Sequence, residues 1–358
     1  MPVLGSLGRE LQEIAAATLR QAAALRLLLG ESDVAALDDL VNGAKADVCR
    51  IAVVGQVKAG KSSLINALIG RPRFLPADVN PWTAVVTSLH FGESSDAGAV
   101  YQFFDEHDWE RLGSGGRLQE LSLRLGVALD ADTLARQIRL MRDRAELRLG
   151  RDFRQLLGRQ HRFATASPEA LERYVCAEDL ERDAADIRPG HSVGRFADIT
   201  KSADLYFDLP PFAYPTVIMD TPGTNDPFLV RDQLSREVLE RADACMVVLN
   251  AQQALSSGDV SLLHLLRGLQ KDRVVVFVNR IDQLRDPKAE AEAVLAHVRG
   301  KLAIEFPGSD IPVIAGSALW AEQALASEAA ASSPQPPSPR RLGAEQAASP
   351  EAPGGRAE

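Results

Sequence analysis

The stretch Gly55-Gln56-Val57-Lys58-Ala59-Gly60-Lys61-Ser62-Ser63 follows directly on the apolar run Ile51-Ala52-Val53-Val54. It satisfies the pattern G-x-x-x-x-G-K-[ST] at every fixed position, and the helix-forming Leu64-Ile65-Asn66-Ala67-Leu68 comes next. A strand, a glycine-rich turn and a helix in that order leave a chain few choices, because this is the phosphate-cradling unit of a parallel α/β sheet. The glycines let the backbone wrap an anion with its N–H groups, and the helix N-terminus adds a favourable dipole. Gly55, Gln56, Lys58, Ala59, Gly60, Lys61, Ser62 and Ser63 are therefore the candidate phosphate-binding residues. Lys61 is expected to reach the β and γ phosphates and Ser62 to ligate Mg²⁺.

The rest of the chain keeps the rhythm that this motif starts. Apolar strand candidates fall at 50–54, 84–91, 203–209, 215–219, 243–250, 273–278 and 311–315, with helices expected over 61–69, 228–241, 257–269, 287–304 and 318–327. This alternation predicts a mostly parallel sheet flanked by helices on both faces. Residues 105–200 interrupt it. They are rich in Arg, Leu, Glu and Asp and read as a helical insertion with mixed-charge faces. Residues 1–48 read as a helical hairpin. Its first helix carries an apolar stripe through Leu4, Leu7, Leu11, Ile14, Ala15, Thr18, Ala22, Leu25 and Leu29. The α/β domain is expected over 49–327. Residues 328–358 hold Leu342 as their one bulky aliphatic and are expected to be a disordered Pro/Ala/Ser-rich tail.

Composition removes several functions. The 40 basic against 49 acidic residues give a net charge of −9, a poor basis for non-specific nucleic-acid binding. The three cysteines are scattered, so neither a disulfide framework nor a metal-ligand spacing is expected, and a reducing cytosol fits. The first residues lack a basic flank leading into an apolar block, so no signal peptide is expected. No uninterrupted apolar window is long enough for a membrane span.

Three further stretches carry chemistry. Thr216-Val217-Ile218-Met219-Asp220-Thr221-Pro222-Gly223 puts Asp220 at a strand end, where a carboxylate can serve Mg²⁺, and the Gly223 N–H can meet a γ-phosphate. Val274 to Asp282 ends a strand in Asn279-Arg280-Ile281-Asp282. An Asp there accepts from both N1–H and the 2-amino group of guanine, a donor pair that adenine lacks, so Asp282 predicts GTP over ATP. Asn279 is expected at the purine N7. Ser317-Ala318 follows the last strand, where a backbone N–H can reach the guanine O6.

With these pieces in order, the chain resembles the dynamin superfamily, especially bacterial dynamin-like proteins. The resemblance rests on "GQVKAGKSSLINALIG", "FLPADVNPWTAVVTSLHFG" and "DTPGTNDP" and covers about residues 50–320. It implies a P-loop GTPase fold and Mg²⁺-dependent hydrolysis of GTP to GDP, stimulated by a GTP-dependent homodimer and linked to membrane dynamics. It implies that Thr83 is the switch threonine closing on Mg²⁺ and the γ-phosphate, which makes Ser62, Thr83 and Asp220 the metal residues. The long gap between Thr83 and Asp220 suits the enlarged dynamin domain. Arg280 departs from the family's usual Lys, and its stem can stack over the base in the same way. Lys58 stands where dynamins carry Ser with a monovalent cation and where guanylate-binding proteins carry an Arg finger. Lys58, Lys61 and Thr83 are thus the expected catalytic residues. The N-terminal helices resemble part of the family's neck. The resemblance leaves the neck's C-terminal partners unaccounted for: the chain is expected to be a truncated or split member, or its apolar stripe to pack on the GTPase domain or on a separate, stalk-bearing protein partner. A cytoplasmic protein, peripheral at the inner face of a membrane, is implied by the resemblance alone. The rival reading is a nucleotide-dependent switch with little turnover and a protein partner. A ribosome-associated GTPase is disfavoured by the acidic charge.

Overall fold

The computed structural model describes residues 5–26, 28, 33–34, 37, 48–77, 82–83, 85–92, 98–113, 131–177, 194–208, 212, 214–223 and 238–332. The strands are β1 (Cys49–Gly55), β2 (Trp82–Thr83), β3 (Val86–Phe91), β4 (Ala99–Phe103), β5 (Gln160–Phe163), β6 (Cys176–Ala177), β7 (Thr200–Phe207), β8 (Thr216–Asp220), β9 (Ala244–Asn250), β10 (Val274–Asn279) and β11 (Val313–Ala315). The helices are α1 (Gly5–Arg26), α2 (Lys61–Leu68), α3 (Glu106–Gly113), α4 (Ala131–Leu149), α5 (Phe153–Leu156), α6 (Pro168–Tyr174), α7 (Ser257–Gly268), α8 (Pro287–Glu305) and α9 (Ala318–Ser332).

Nine strands form one sheet in the order β11-β10-β9-β1-β8-β3-β7-β4-β5. Pairing is parallel from β11 to β8 and between β3 and β7; β8–β3, β7–β4 and β4–β5 are antiparallel. This is the expected P-loop GTPase fold, a mostly parallel sheet. Its central strands are apolar on both faces because both faces are covered. Along β1 the side chains alternate between two cores. Val53 joins Ile65, Leu89, Leu205 and Ile218 on one face. Ala52 and Val54 join Val247, Leu249, Leu262 and Val298 on the other.

Helix ends follow local chemistry. Ser256 caps α7 with a reciprocal capping box to Asp259, and Asp286 caps α8 ahead of Pro287. The helix expected at 228–241 lies largely outside the described residues, as does the second N-terminal helix at 32–46. Helix α1 forms as expected. Of the stripe residues whose side chains are described, Ala22 is buried, whereas Ile14, Thr18 and Leu25 are exposed. No helix among the described residues is long and apolar enough to cross a membrane.

The insertion differs from an all-helical reading. It supplies β5 to the sheet edge and β6 to a two-stranded ladder with β2, pairing Trp82 with Ala177 and Thr83 with Cys176. Strand β5 reads Gln-His-Arg-Phe, with no apolar alternation. It is held by β4 and by an aromatic cluster in which Tyr174 stacks on Tyr101 at 4.1 Å and His161 Nδ1 lies 2.6 Å from the Tyr174 hydroxyl. Tyr101 is pushed out of the ordinary phenol range by burial. The last helix, expected to stop at 327, runs to Ser332, into the segment expected to be disordered; residues 333–358 lie outside the described residues.

Gly55 shows how tightly the sheet is drawn around the loop. A Cβ there would lie 2.3 Å from the Val248 carbonyl oxygen of β9, and its φ of +151° lies where side chains are strained. Gly55→Ala is expected to destabilise the fold by about 3 kcal/mol or more, read as a lowered midpoint of urea unfolding.

Candidate nucleotide site

The site lies at the C-terminal ends of β1, β8 and β10 and at the turn after β11, where a parallel sheet leaves its loops free. The loop from Gly55 to Gly60 leads into α2. Gly60 is left-handed (φ 86°) and offers no side chain to cap α2, so the helix N-terminus is open to an anion. Lys58 is also left-handed (φ 65°), unusual for a residue with a Cβ, and it is exposed. Among the described residues it makes no hydrogen bond or ion pair. Ala59 is buried and Ser63 half-buried.

The Lys61 side chain is 8% exposed, and its Nζ donates to the carbonyls of Gly55 (3.2 Å) and Gln56 (3.1 Å). The ammonium thus curls back over its own loop, on carbonyls it can exchange for phosphate oxygens. The Gln56 side-chain amide donates to the Ser256 hydroxyl and braces the loop against the cap of α7, which leaves its backbone N–H in the loop.

Ser62 Oγ donates to Asp220 Oδ2 at 2.8 Å. Asp220 is 1% exposed, and its Oδ1 has no hydrogen-bond partner among the described residues. Burial pushes this carboxyl up to about 6, against the lowering effects of the Lys61 charge, the Ser62 hydroxyl and the Thr221 N–H. A hydroxyl beside a carboxylate with an unsatisfied oxygen is a hard-donor pair that fits Mg²⁺. Ser62 and Asp220 would hold the ion, which supplies charge neutralisation to a bound triphosphate. Among the described residues no cluster of three or more His, Cys, Asp or Glu offers an alternative metal site.

Thr221 Oγ1 donates to the Val53 carbonyl at 2.8 Å, stitching the end of β8 to β1. A Cβ on Gly223 would come within 2.6 Å of Val57. Only glycine therefore lets this turn lie against the phosphate loop. Thr83 stands in β2, its backbone paired with Cys176 of the insertion.

The base-reading residues form a second knot. Asn279 is buried, and its Nδ2 donates to the carbonyls of Ala59 (2.9 Å) and Gly60 (3.3 Å). Its Oδ1 accepts from the Ala318 N–H at 3.0 Å. The sequence reading placed Asn279 on a purine N7 and the Ala318 region on O6; here each satisfies the other. Ser317 donates through Oγ to Asp282 Oδ1 and caps the first turn of α9 by accepting from the Trp320 N–H. That leaves Asp282 oriented, with a second oxygen for a base edge. Arg280 is left-handed (φ 66°), and its Nε lies 3.7 Å from the Cβ position at Gly60, so its stem runs toward the phosphate loop.

Sequence reasoning missed Asn66, Thr221 and Ser256. Asn66 lies in α2 and grips Leu75 in both directions, donating to its carbonyl (3.0 Å) and accepting from its N–H (2.7 Å). A fully buried Asn inside Leu-Ile-Asn-Ala-Leu was the available signal, since a buried amide must find partners.

The Asp220 environment sets a pH dependence. Between its ordinary value near 3.8 and about 6, the folded chain holds this proton while the unfolded chain has lost it. Asp220 therefore leaves stability intact at low pH and erodes it as pH rises through about 6, by up to about 3 kcal/mol. Asp220→Asn is expected to raise the Tm of the nucleotide-free protein above pH 6, to leave it unchanged below pH 4, and to abolish stabilisation by Mg²⁺ with GTP.

The chain is similar to known GTP-binding proteins. The Dynamin family profile matches residues 51–124, and that of the Elongation factor Tu GTP binding domain matches residues 201–331. Dynamin-like protein 1 of Campylobacter jejuni is 23% identical over 253 residues, 70% of this chain and 30% of that protein. GTPase Der of Flavobacterium johnsoniae is 23% identical over 343 residues, 77% of this chain and 76% of that one. A chain of an oligomerised bacterial dynamin pair, described as a mechanism for the long-range sensing and tethering of membranes, superposes with a TM-score of 0.55 at 19% identity, covering 88% of this chain and 47% of that one. The chain thus spans under a third of the Campylobacter relative and under half of the dynamin-pair chain.

Proposed function

We propose that this chain, which resembles bacterial dynamin-like GTPases, binds GTP and hydrolyses it with Mg²⁺ in a reaction completed between two copies of the domain. The observation that carries the reading is the double anchoring of Asn279. One buried amide ties the phosphate loop to the turn that orients Asp282, so a triphosphate and a guanine edge can be gripped by a single pre-formed unit. Catalysis of this kind is positioning and electrostatics. Water attacks the γ-phosphorus, the bond to the β–γ bridging oxygen breaks, and GDP and phosphate leave. The loop N–H groups and Lys61 hold the β and γ phosphates once the ammonium leaves the Gly55 and Gln56 carbonyls. Ser62 and Asp220 would hold Mg²⁺, which would neutralise charge on the triphosphate. Thr83 closes over the γ-phosphate by moving relative to its ladder with β6.

Lys58 supplies the charge missing beside the bridging oxygen. Its exposure and its left-handed backbone support this role: the side chain stands at the rim, where a second copy would press it onto the phosphates. The dynamin pair described for membrane tethering also supports homodimerisation and a peripheral membrane location for this chain.

The test is GTP turnover per molecule against protein concentration, with ATP as control. A specific rate that climbs with concentration is expected, with no potassium requirement, and Lys58→Ala is expected to lower the stimulated rate by about a hundredfold while GTP affinity changes little. Full stimulated turnover in Lys58→Ala would remove the cationic role. A flat, slow rate with tight GTP binding would make the chain a switch that acts through a protein partner.

A further inference from the structure

Helix α9 is held at its start by the base-reading knot. The Ala318 N–H donates to Asn279, and the Ser317 hydroxyl that bonds Asp282 also caps the first turn of the helix. Ala318 is buried in the core that contains Leu64 and Ile65 of α2. Glu322, four residues later, stands on the same side of the helix, about 6 Å further along it. Its Oε2 accepts from the backbone N–H of Arg73 at 3.0 Å, across 249 positions of sequence. Arg73 belongs to a short turn that is held from two further directions. Asn66 of α2 exchanges two hydrogen bonds with Leu75, and its carbonyl accepts from the Arg71 N–H at 3.0 Å. The Arg71 guanidinium lies 4.7 Å from the ring centroid of Phe207 in β7 and 5.8 Å from that of Phe74.

Packing does not ask for a glutamate at this position. Arg73 is exposed, so water could take its N–H without loss. Burial raises the Glu322 carboxyl above its ordinary range, and the Arg73 N–H, the Arg73 charge and the Asn66 side chain only partly offset it. Arg73 itself is left-handed (φ 56°), which strains a residue with a Cβ. A half-buried acid that works against its own burial to hold one N–H of a strained turn answers a demand for position.

We propose that Glu322 is a positioning residue for hydrolysis: it ties the turn Arg71–Leu75 to α9, so that a guanine held by Asp282 is felt in the segment leading to Thr83, and the base is read in the rate of turnover as well as in affinity. The path runs from Asp282 to Ser317, from Ser317 into the first turn of α9, along one turn of helix to Glu322, and from Glu322 to Arg73. Leu75 stands 83 − 75 = 8 positions before Thr83, so the place of this turn sets where the segment to Thr83 begins. Each link is a direct contact or a rigid helix, which is what coupling between two ends of a site requires. A contact that served stability alone would be indifferent to which base is bound. The inference rests on the proposed GTP hydrolysis and adds to it a residue that joins the base end of the site to the γ-phosphate end.

The experiment measures kcat and KM of the full chain, at one protein concentration, for GTP and for inosine triphosphate, whose base lacks the 2-amino group. It compares the unaltered protein with Glu322→Ala and Glu322→Gln, with GTP affinity as the control for folding. In the unaltered protein kcat is expected to be about tenfold lower with inosine triphosphate. Glu322→Ala is expected to lower kcat for GTP about tenfold, with KM and GTP affinity changed by less than about twofold, and to bring the kcat values of the two nucleotides together. Glu322→Gln keeps an acceptor oxygen for the Arg73 N–H and is expected to restore both the rate and the preference. An unchanged kcat in Glu322→Ala, a loss carried by KM alone, an equal loss in Glu322→Gln, or a base preference in kcat that survives Glu322→Ala would overturn this role while leaving hydrolysis standing. Loss of GTP binding in Glu322→Ala would make the contact one of folding and overturn the role as well. Absence of GTP turnover in the unaltered chain would overturn the proposed function itself, and this role with it.

Discussion

The buried amide of Asn279 is the interaction on which the nucleotide site depends. Its two hydrogens go to carbonyls of the phosphate loop, and its oxygen takes the N–H of Ala318 at the turn after β11. A buried amide with all its partners in place is stable, whereas one that loses any of them is costly. The loop and the base-reading turn are therefore not free to drift apart. Gly60 is part of the same constraint, since a Cβ there would sit 2.5 Å from Asn279 Nδ2. Neighbouring contacts extend the grip. Ser317 holds Asp282, Gln56 holds Ser256, and the Arg73 N–H donates to Glu322 of α9 at 3.0 Å, so α9 touches both the base turn and the loop that follows the phosphate-loop helix.

What the sequence made legible follows from this economy. The four motif stretches are short because each is dictated by one local demand: a glycine where the backbone crowds Val248, a carboxylate at a strand end, an Asp oriented by a Ser. Strands β1, β8, β9 and β10 were readable because burial on both faces leaves only apolar residues in them. Strand β5 was not, since Gln160-His161-Arg162-Phe163 contains nothing that asks to be a strand. Its place comes from β4 and from rings contributed by Tyr101, Tyr174 and Phe196, contacts that are distant in sequence. The Gln56 side chain shows a related limit: the motif marks its backbone as phosphate-binding but says nothing of a side chain that turns toward residue 256.

The insertion is built differently from the sheet it joins. Its interior carries charge. Arg144, Arg148 and Asp198 are all nearly inaccessible, and Arg148 also donates to the Gly194 carbonyl at 2.7 Å. Buried ion pairs of this kind contribute little net stability against an apolar alternative but penalise any other arrangement strongly. That is the property required of a layer whose strand has no intrinsic preference for its place. Asp108 adds a smaller version nearer the surface. Burial opposes its ionisation, but the Lys201 ammonium, the Asp105 N–H and Arg111 hold its carboxyl below the usual range.

The two-residue ladder between β2 and β6 gives this layer a second significance. Thr83 is in register with Cys176, a residue that follows α6 almost immediately, and α6 buries Leu171 and Tyr174 in the same core as Val53. A loop tethered only to solvent opens at the rate of its own dihedral motions, but one zipped to a packed element inherits that element's inertia. Displacing Thr83 would therefore mean unzipping two backbone pairs or carrying a buried helix along. The ladder works as a brake: it couples the position of a short loop to the packing of the layer behind it.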